Sequence, residues 1–544
     1  MTYGSDRSAG GQAYAGHADA GGAVGARPAL GAIAGRALKG FAAASLILAC
    51  LSPARAADTP VRGGTLNIMV ERDVKSLDPL FGNSVSIDRK VFNLYAESLL
   101  LLDAKGDLVP NLAESWEYAD GGKTILFKIR QGISFQDGTP LNAAAVKFNL
   151  DRLLDPAWNV PLKTYVADMR AVELVDDYTV RVRLEQPNAP FLSMMAAEPG
   201  SILSPTALKE RGEEFGRRPV GTGPFVIVSR TNNEIVAKRF DGYWQKAPDG
   251  KPLPYLDGVK LLVNPSESIR LIQLRSGAAS LTDAVAPRSI VQVKSDANLV
   301  VLDDARLGVS RFLNFNVTRP PFDNIELRQA VALAINRAAM ANALSPGTGI
   351  ALVGVEPPGS RMYDASLKGH GFDRAKAREQ LAKLAPKEPL TLSVIQRDYD
   401  IQIAQLVQAM LKDVGVEIKV EVLERQSWIQ KIFAYNYDFS ISQDALQRPD
   451  PDQFYANNYS RKAANNYSGF KNDAVFDMVD KARVELDWDK RKALYGTILQ
   501  QLLDNTYQTP LYWSPTAEIA SKKVQGIKRE GTMVWLYQTM WLAP

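Results

Sequence analysis

The feature that most restricts the fold of this chain is a helix that hands over directly to a strand. Residues Asp400 to Val414 read as a helix, and Gly415 supplies the stop expected just past a helix end. Val416, Ile418, Val420 and Val422 then alternate with Glu417, Lys419 and Glu421, the period of two of a half-buried strand. Each element has one apolar face to bury, and burying both together requires a helix layer on a sheet, which predicts an α/β architecture.

Other segments repeat that logic. Thr65 to Val70 alternates and is broken by Leu77-Asp78-Pro79, and a helix is expected from about Ser86 to Glu97. A strand over Thr124 to Arg130 follows the turn Asp120-Gly121-Gly122. Thr139 as cap with Pro140 at the first helical position predicts a helix to about Leu154. Val180 to Leu184 is another strand, and Pro219 to Pro224 punctuates the chain before a β-rich stretch from Phe225. Later helices are expected over Ser266 to Arg275, Ile325 to Leu344, Asp473 to Glu485 and Asp487 to Leu503, then an extended segment from Thr509 to Pro515. The block before Pro219 reads as an insertion between strands of one sheet.

Cysteine and histidine usage excludes much chemistry. The chain holds one Cys and two His, and both Cys50 and His17 fall in a segment that reads as a leader. Arg36 and Lys39, the apolar run Phe41 to Leu51 and Ala54-Arg55-Ala56 are the basic, apolar and cleavage elements of a secretory signal peptide over residues 1–56. Ile47-Leu48-Ala49-Cys50 resembles a weak lipobox, so a lipid anchor at Cys50 is the alternative to a freely periplasmic protein. Beyond Ala56 there is no Cys and only His370, which excludes a disulfide framework, a thiolate metal site, a cysteine nucleophile and a multi-His metal site. Charge there is nearly balanced, so no nucleic-acid partner is implied, and no cofactor is expected.

Motifs of catalysis fail on inspection. Gly121-Gly122-Lys123-Thr124 lacks the leading glycine of a phosphate loop, because Glu117 stands there. Gly221-Thr222-Gly223 lacks the third glycine of a dinucleotide fingerprint, and Pro224 obstructs a helix start. A secreted hydrolase, the competing class, would have neither a serine elbow nor a choice of histidines. His370 reads as a solvated loop residue, and Asp450-Pro451-Asp452 as turn chemistry. Trp428 and Trp513 stand apart from the other tryptophans because they flank strands, whose ends face the ligand crevice in α/β layers.

Gly63 to Leu66 with Ser76 to Pro79, Val109 to Trp116, Phe135 to Pro140, Gly221 to Pro224 and Arg328 to Ala330 occur in an order that resembles the family 5 extracellular solute-binding proteins of ABC transporters, the oligopeptide, dipeptide and nickel group. The resemblance implies an α/β, two-lobed periplasmic-binding-protein fold of type II, a Venus flytrap with an additional inserted domain. It implies lobe 1 from 57–96 with 219–308 and 509–544, the inserted domain at 97–218, and lobe 2 at 309–508. It also implies an inter-lobe ligand, delivery to an inner-membrane ABC permease, a monomer and no enzymatic activity. Peptide-binding relatives carry an aspartate shortly before a D-P-D-like segment; here Gln447 holds that place, Arg448 follows, and Asp444 could substitute. Nickel is disfavoured by the lone His370. A short peptide is therefore the expected solute, with a non-peptide organic solute as the alternative. The candidate ligand residues are Asp444, Gln447, Arg448, Trp428 and Trp513, completed by Phe81 and Asn83 in the loop Phe81 to Ser84.

Overall fold

A computed structural model describes residues 59–82, 86–302, 304, 308–444, 450–531 and 534–544. The leader segment, with its cleavage site and Cys50, lies outside the described residues. Two large sheets organise the rest. The first has seven strands in the order Phe225–Arg230, Glu234–Arg239, Gly258–Val263, Thr65–Val70, Leu281–Val285, Ala517–Ser521 and Leu299–Leu302. Thr65–Val70 lies parallel to both its neighbours, and Leu66 and Ile68 are fully buried. The second has six strands in the order Ile350–Ala351, Gln508–Pro515, Gly308–Phe315, Phe439–Asp444, Leu390–Ile395 and Ile418–Leu423. A separate four-stranded antiparallel sheet is built from Ala113–Ala119, Thr124–Ile129, Thr179–Leu184 and Met169–Asp176.

The first sheet and the four-stranded sheet share a single core that includes Ile68, Phe127 and Val180. Gly221 and Gly223 make this joint close. A side chain on Gly221 would lie 2.2 Å from the Tyr95 carbonyl oxygen, and the Gly223 N–H donates to that oxygen at 2.9 Å. The glycine pair is a packing device rather than a phosphate site. The second sheet has its own core around Phe315, Val394, Ile403 and Phe439. Arg328 is buried and donates to the carbonyls of Phe322, Asn505 and Thr506, tying one helix to the end of another.

Several expectations are corrected. The helix after Thr139-Pro140 is Ala143–Leu154, and its cap is Asn142, whose side chain accepts from the Ala145 N–H at 2.9 Å. Pro140 instead bridges to Ser134, because the Asp137 side chain takes the Thr139 N–H and closes a turn first. The helix from Ser86 ends at Phe92, which frees Glu97 and Ser98 to pair with Ser201 and Ile202. The helix expected over Ile325 to Leu344 is two, Ile325–Ala334 and Arg337–Leu344, with Asn336 capping the second. The return to the first sheet comes later than 509: Gln508–Pro515 pairs with Gly308–Phe315 in the second sheet, where Leu511 and Tyr512 join the core. Only Thr516 separates that strand from Ala517–Ser521 in the first sheet.

Candidate functional site

A cavity of about 510 Å³ lies where the hairpin of the inserted segment meets the helices and loops around the second sheet. Strands Leu100–Leu102 and Leu108–Pro110 form the hairpin and supply Lys105 and Gly106; Leu192 and Ser193 come from the helix Pro190–Met195. From the other side come Glu356, Arg361, Asp450, Trp488, Arg491 and Trp513.

Its floor is set by a buried ion pair. Asp450 accepts from the Asp452 N–H at 2.9 Å, which fixes the turn into the helix Asp452–Tyr459. The same carboxylate is bound in two places by Arg491, one of them at 2.8 Å, and by the Ser193 hydroxyl across the cleft at 3.3 Å. Arg491 also donates to the Ala482 carbonyl at 3.1 Å and the Tyr495 hydroxyl at 3.0 Å. Desolvation works against the charge of Arg491, yet Asp450 beside it holds the guanidinium above its ordinary value. Facing the pair, the Tyr118 phenol is pushed up to about 12, first by burial, with Arg491 opposing and Asp450 adding.

Contacts across the cleft hold the two sides together. Arg361 donates to the Gly106 carbonyl at 2.6 Å, lies 3.0 Å from the Asp107 carboxylate and stacks over the Trp488 ring. The Ala189 N–H donates to the Arg483 carbonyl at 2.8 Å, and Arg483 in turn pairs with Asp452 at 2.8 Å. Where strands of the two large sheets meet the crossing, Gly308 sits so close that a side chain would lie 2.5 Å from the Ser514 carbonyl oxygen and 2.7 Å from the Trp513 ring. These contacts join the two sides of the cavity directly.

The expected ligand residues distribute unevenly. Trp513 lines the cavity, is fully buried, and its indole Nε1 has no hydrogen-bond partner among the described residues. Trp428 lies elsewhere, on the helix Arg425–Phe433, where its indole donates to the Ser393 carbonyl at 3.3 Å and its ring packs 5.7 Å from Tyr467. Phe81 ends the short turn Pro79–Phe81 and packs on the first core. Asp444 is buried at the end of Phe439–Asp444, opposite Ser310, and adds to the upward push of burial on the Tyr459 phenol. Asn83, Gln447 and Arg448 lie outside the described residues. His370 is half-buried and its Nε2 lies 3.0 Å from the Thr506 hydroxyl. Sequence reasoning missed Asp450, Arg491, Arg361 and Trp488. The Asp-Pro-Asp turn was visible, but nothing local to it signalled an arginine 41 residues away. Among the described residues no group of three or more His, Cys, Asp or Glu side chains could hold a metal ion.

The family model "Bacterial extracellular solute-binding proteins, family 5 Middle" matches residues 107–466. The glutathione-binding protein GsiB of Escherichia coli is 32% identical over 361 residues, 66% of this chain and 69% of that protein. Among solved structures, the periplasmic binding protein DppA of Helicobacter pylori, in complex with the peptide STSA, superposes with a TM-score of 0.74 at 24% identity, over 89% of this chain and 99% of that one. The oligopeptide-binding protein AppA of Bacillus subtilis, in complex with a nonapeptide, gives 0.73 at 23% identity over 89% and 100%. The two sheets, the cavity between them and these matches together assign the chain to the family 5 extracellular solute-binding proteins, the substrate-binding components of ABC importers.

Proposed function

We propose that this protein captures a short peptide in the inter-lobe cavity and presents the closed complex to a membrane permease. The observation that carries the reading is the cavity itself. Its volume falls within the roughly 300–1,000 Å³ of small-molecule sites, and a buried indole donor stands beside a fixed carboxylate–guanidinium pair in its wall. Such a wall suits backbone amides and polar termini, and the 32% identity to a glutathione-binding protein supports a peptide-sized solute. Asp444, Gln447 and Arg448 are assigned to the ligand from the end of the strand Phe439–Asp444. Gln447 in place of an aspartate favours a solute whose ammonium is met elsewhere.

The same reading includes export with cleavage after Ala56, action in the periplasm as a monomer, and binding without turnover. We divide the chain into lobe 1 at 57–96, 219–308 and 516–544, the inserted domain at 97–218 and lobe 2 at 309–515. Native mass spectrometry of protein purified without refolding tests the function. A retained mass that fragments as a short peptide, and remains intact on prolonged incubation, is expected; a retained non-peptide molecule moves the assignment to an organic solute, and progressive cleavage to a hydrolase.

A further inference from the structure

The buried charges in the wall of the cavity of about 510 Å³ are bound to each other. All three nitrogens of Arg491 are engaged, by Asp450, the Ala482 carbonyl and the Tyr495 hydroxyl. Both oxygens of Asp450 are engaged too: one takes the Asp452 N–H with one Arg491 N–H, the other takes the Ser193 hydroxyl with a second. Arg361 gives its terminal nitrogens to the Gly106 carbonyl and the Asp107 carboxylate. Lys105 and Glu356, the lining charges that remain, are of opposite sign, and Lys105 is exposed on the hairpin turn. A solute charge buried against the inner wall therefore finds no free counter-charge, which is costly once water leaves.

The wall offers apolar surface and neutral donors instead. Leu102, Leu192, Met362 and Phe454 line it with the Trp488 and Trp513 rings. Tyr118, near the end of the strand Ala113–Ala119, and Leu486, between the helices Asp473–Val484 and Trp488–Asp504, also line it and stay 37% and 39% exposed. Gly122 makes room for Leu486, since a Cβ there would lie 2.7 Å from the Leu486 Cδ1. Exposed apolar side chains gathered in a concave wall mark a ligand surface. Two neutral donors in the same wall are buried without a hydrogen-bond partner, the Trp513 Nε1 and the Ser360 hydroxyl. The Tyr118 phenol, pushed up to about 12, stays uncharged as well. Neutral donors suit amide carbonyls, and the apolar wall favours burial of an aliphatic or aromatic side chain.

We propose that this cavity selects its solute by an uncharged apolar body, an aliphatic or aromatic side chain carried on amide carbonyls, and discriminates against charged side chains and against the acidic tripeptide glutathione. The proposal deepens the solute-binding reading and rests on it. Similarity to a glutathione-binding protein at 32% identity thus does not extend to the solute.

Calorimetry on the whole protein with the tripeptides Ala-Phe-Ala, Ala-Leu-Ala, Ala-Glu-Ala and Ala-Lys-Ala, and with glutathione, tests the selectivity. The Phe and Leu peptides should bind at least about tenfold more tightly than the other three, the effect of burying one large apolar side chain. Leu486→Ser, at an exposed position that folding tolerates, should reduce that preference about threefold to fivefold, and Leu486→Met should keep it. Equal affinities across the panel, tighter binding of a charged peptide or of glutathione, or an unchanged preference in Leu486→Ser overturns the proposal and leaves the peptide reading standing. Where none of the peptides binds, the peptide reading falls, and thermal unfolding with millimolar N-acetylphenylalaninamide against N-acetylglutamate decides the proposal. A rise in the midpoint with the neutral amide alone upholds it; any other result overturns it.

Discussion

Arg361 stacks its guanidinium 3.7 Å from the centre of the Trp488 ring while its donors reach across the cleft to Gly106 and Asp107. The stack keeps the long side chain extended, and the extension lets it reach the hairpin. One arginine therefore acts as a clasp between the hairpin 100–110 and the segment around Arg361. Arg361 is partly exposed, so screening limits the ion pair to at most about 1 kcal/mol and the stacking to a similar figure.

Arg361→Ala should shift the solute-free protein toward open states. Small-angle scattering should record a larger radius of gyration without solute and a normal compact value at saturation. Affinity should fall by a factor of about 5 to 30, the equivalent of 1 to 2 kcal/mol. An unchanged scattering profile would show that the clasp does not hold the cleft.

Asp450 and Arg491 are 3% exposed each. Removing either partner leaves the other charge buried, which costs about 3–5 kcal/mol. Asp450→Asn and Arg491→Met should each lower the urea midpoint sharply. A double variant with apolar residues of matched volume should recover most of the loss, since the pair's attraction largely offsets its own desolvation.

Glu97 gives the protein a pH-dependent stability. Its carboxylate accepts from Thr222 at 2.8 Å, Tyr243 at 2.9 Å and Trp244 at 2.9 Å, yet burial outweighs these donors and raises it from 4.5 to about 7. The folded state therefore favours the neutral acid. The stabilisation is complete below about 4.5, is lost as pH rises toward about 7, and is absent above that. Its span is about 1–3 kcal/mol, as the residue is half-buried rather than enclosed on every side. Glu97→Gln should flatten the change in melting temperature between mildly acidic and mildly alkaline buffer.

Trp513→Phe preserves the ring and deletes the only donor of that side chain. If the indole N–H binds the solute, calorimetry should show affinity reduced about fivefold, close to 1 kcal/mol for one neutral hydrogen bond. Trp428→Phe should leave affinity unchanged and cost stability instead, because its N–H is already satisfied by Ser393.

Export is checked by N-terminal sequencing of protein recovered from the cell envelope. Ala57 should be the first residue. A blocked N-terminus on a lipidated Cys50 would replace the periplasmic assignment with a membrane-anchored one.

Elements with a local cause were legible in the sequence. Thr65–Val70 was expected to the residue, and the strand expected over Val416 to Val422 is found at Ile418–Leu423, because alternation with period two depends only on neighbours along the chain. Gly415, at φ +92°, stops its helix for the same local reason. The order of short motifs likewise carried the family. The sequence could not carry pairings whose partners lie far apart: Arg491 with Asp450, Arg361 with Gly106 across 255 residues, or the shared counter-ion of Arg311 and Arg397. It also assigned Gln508–Pro515 to the wrong sheet, since an apolar strand fits either core and only the register against Gly308–Phe315 decides. Local pattern sets which residues form a strand or helix. Which charges are desolvated, and which partners compensate them, is set by how segments distant in the chain pack over them.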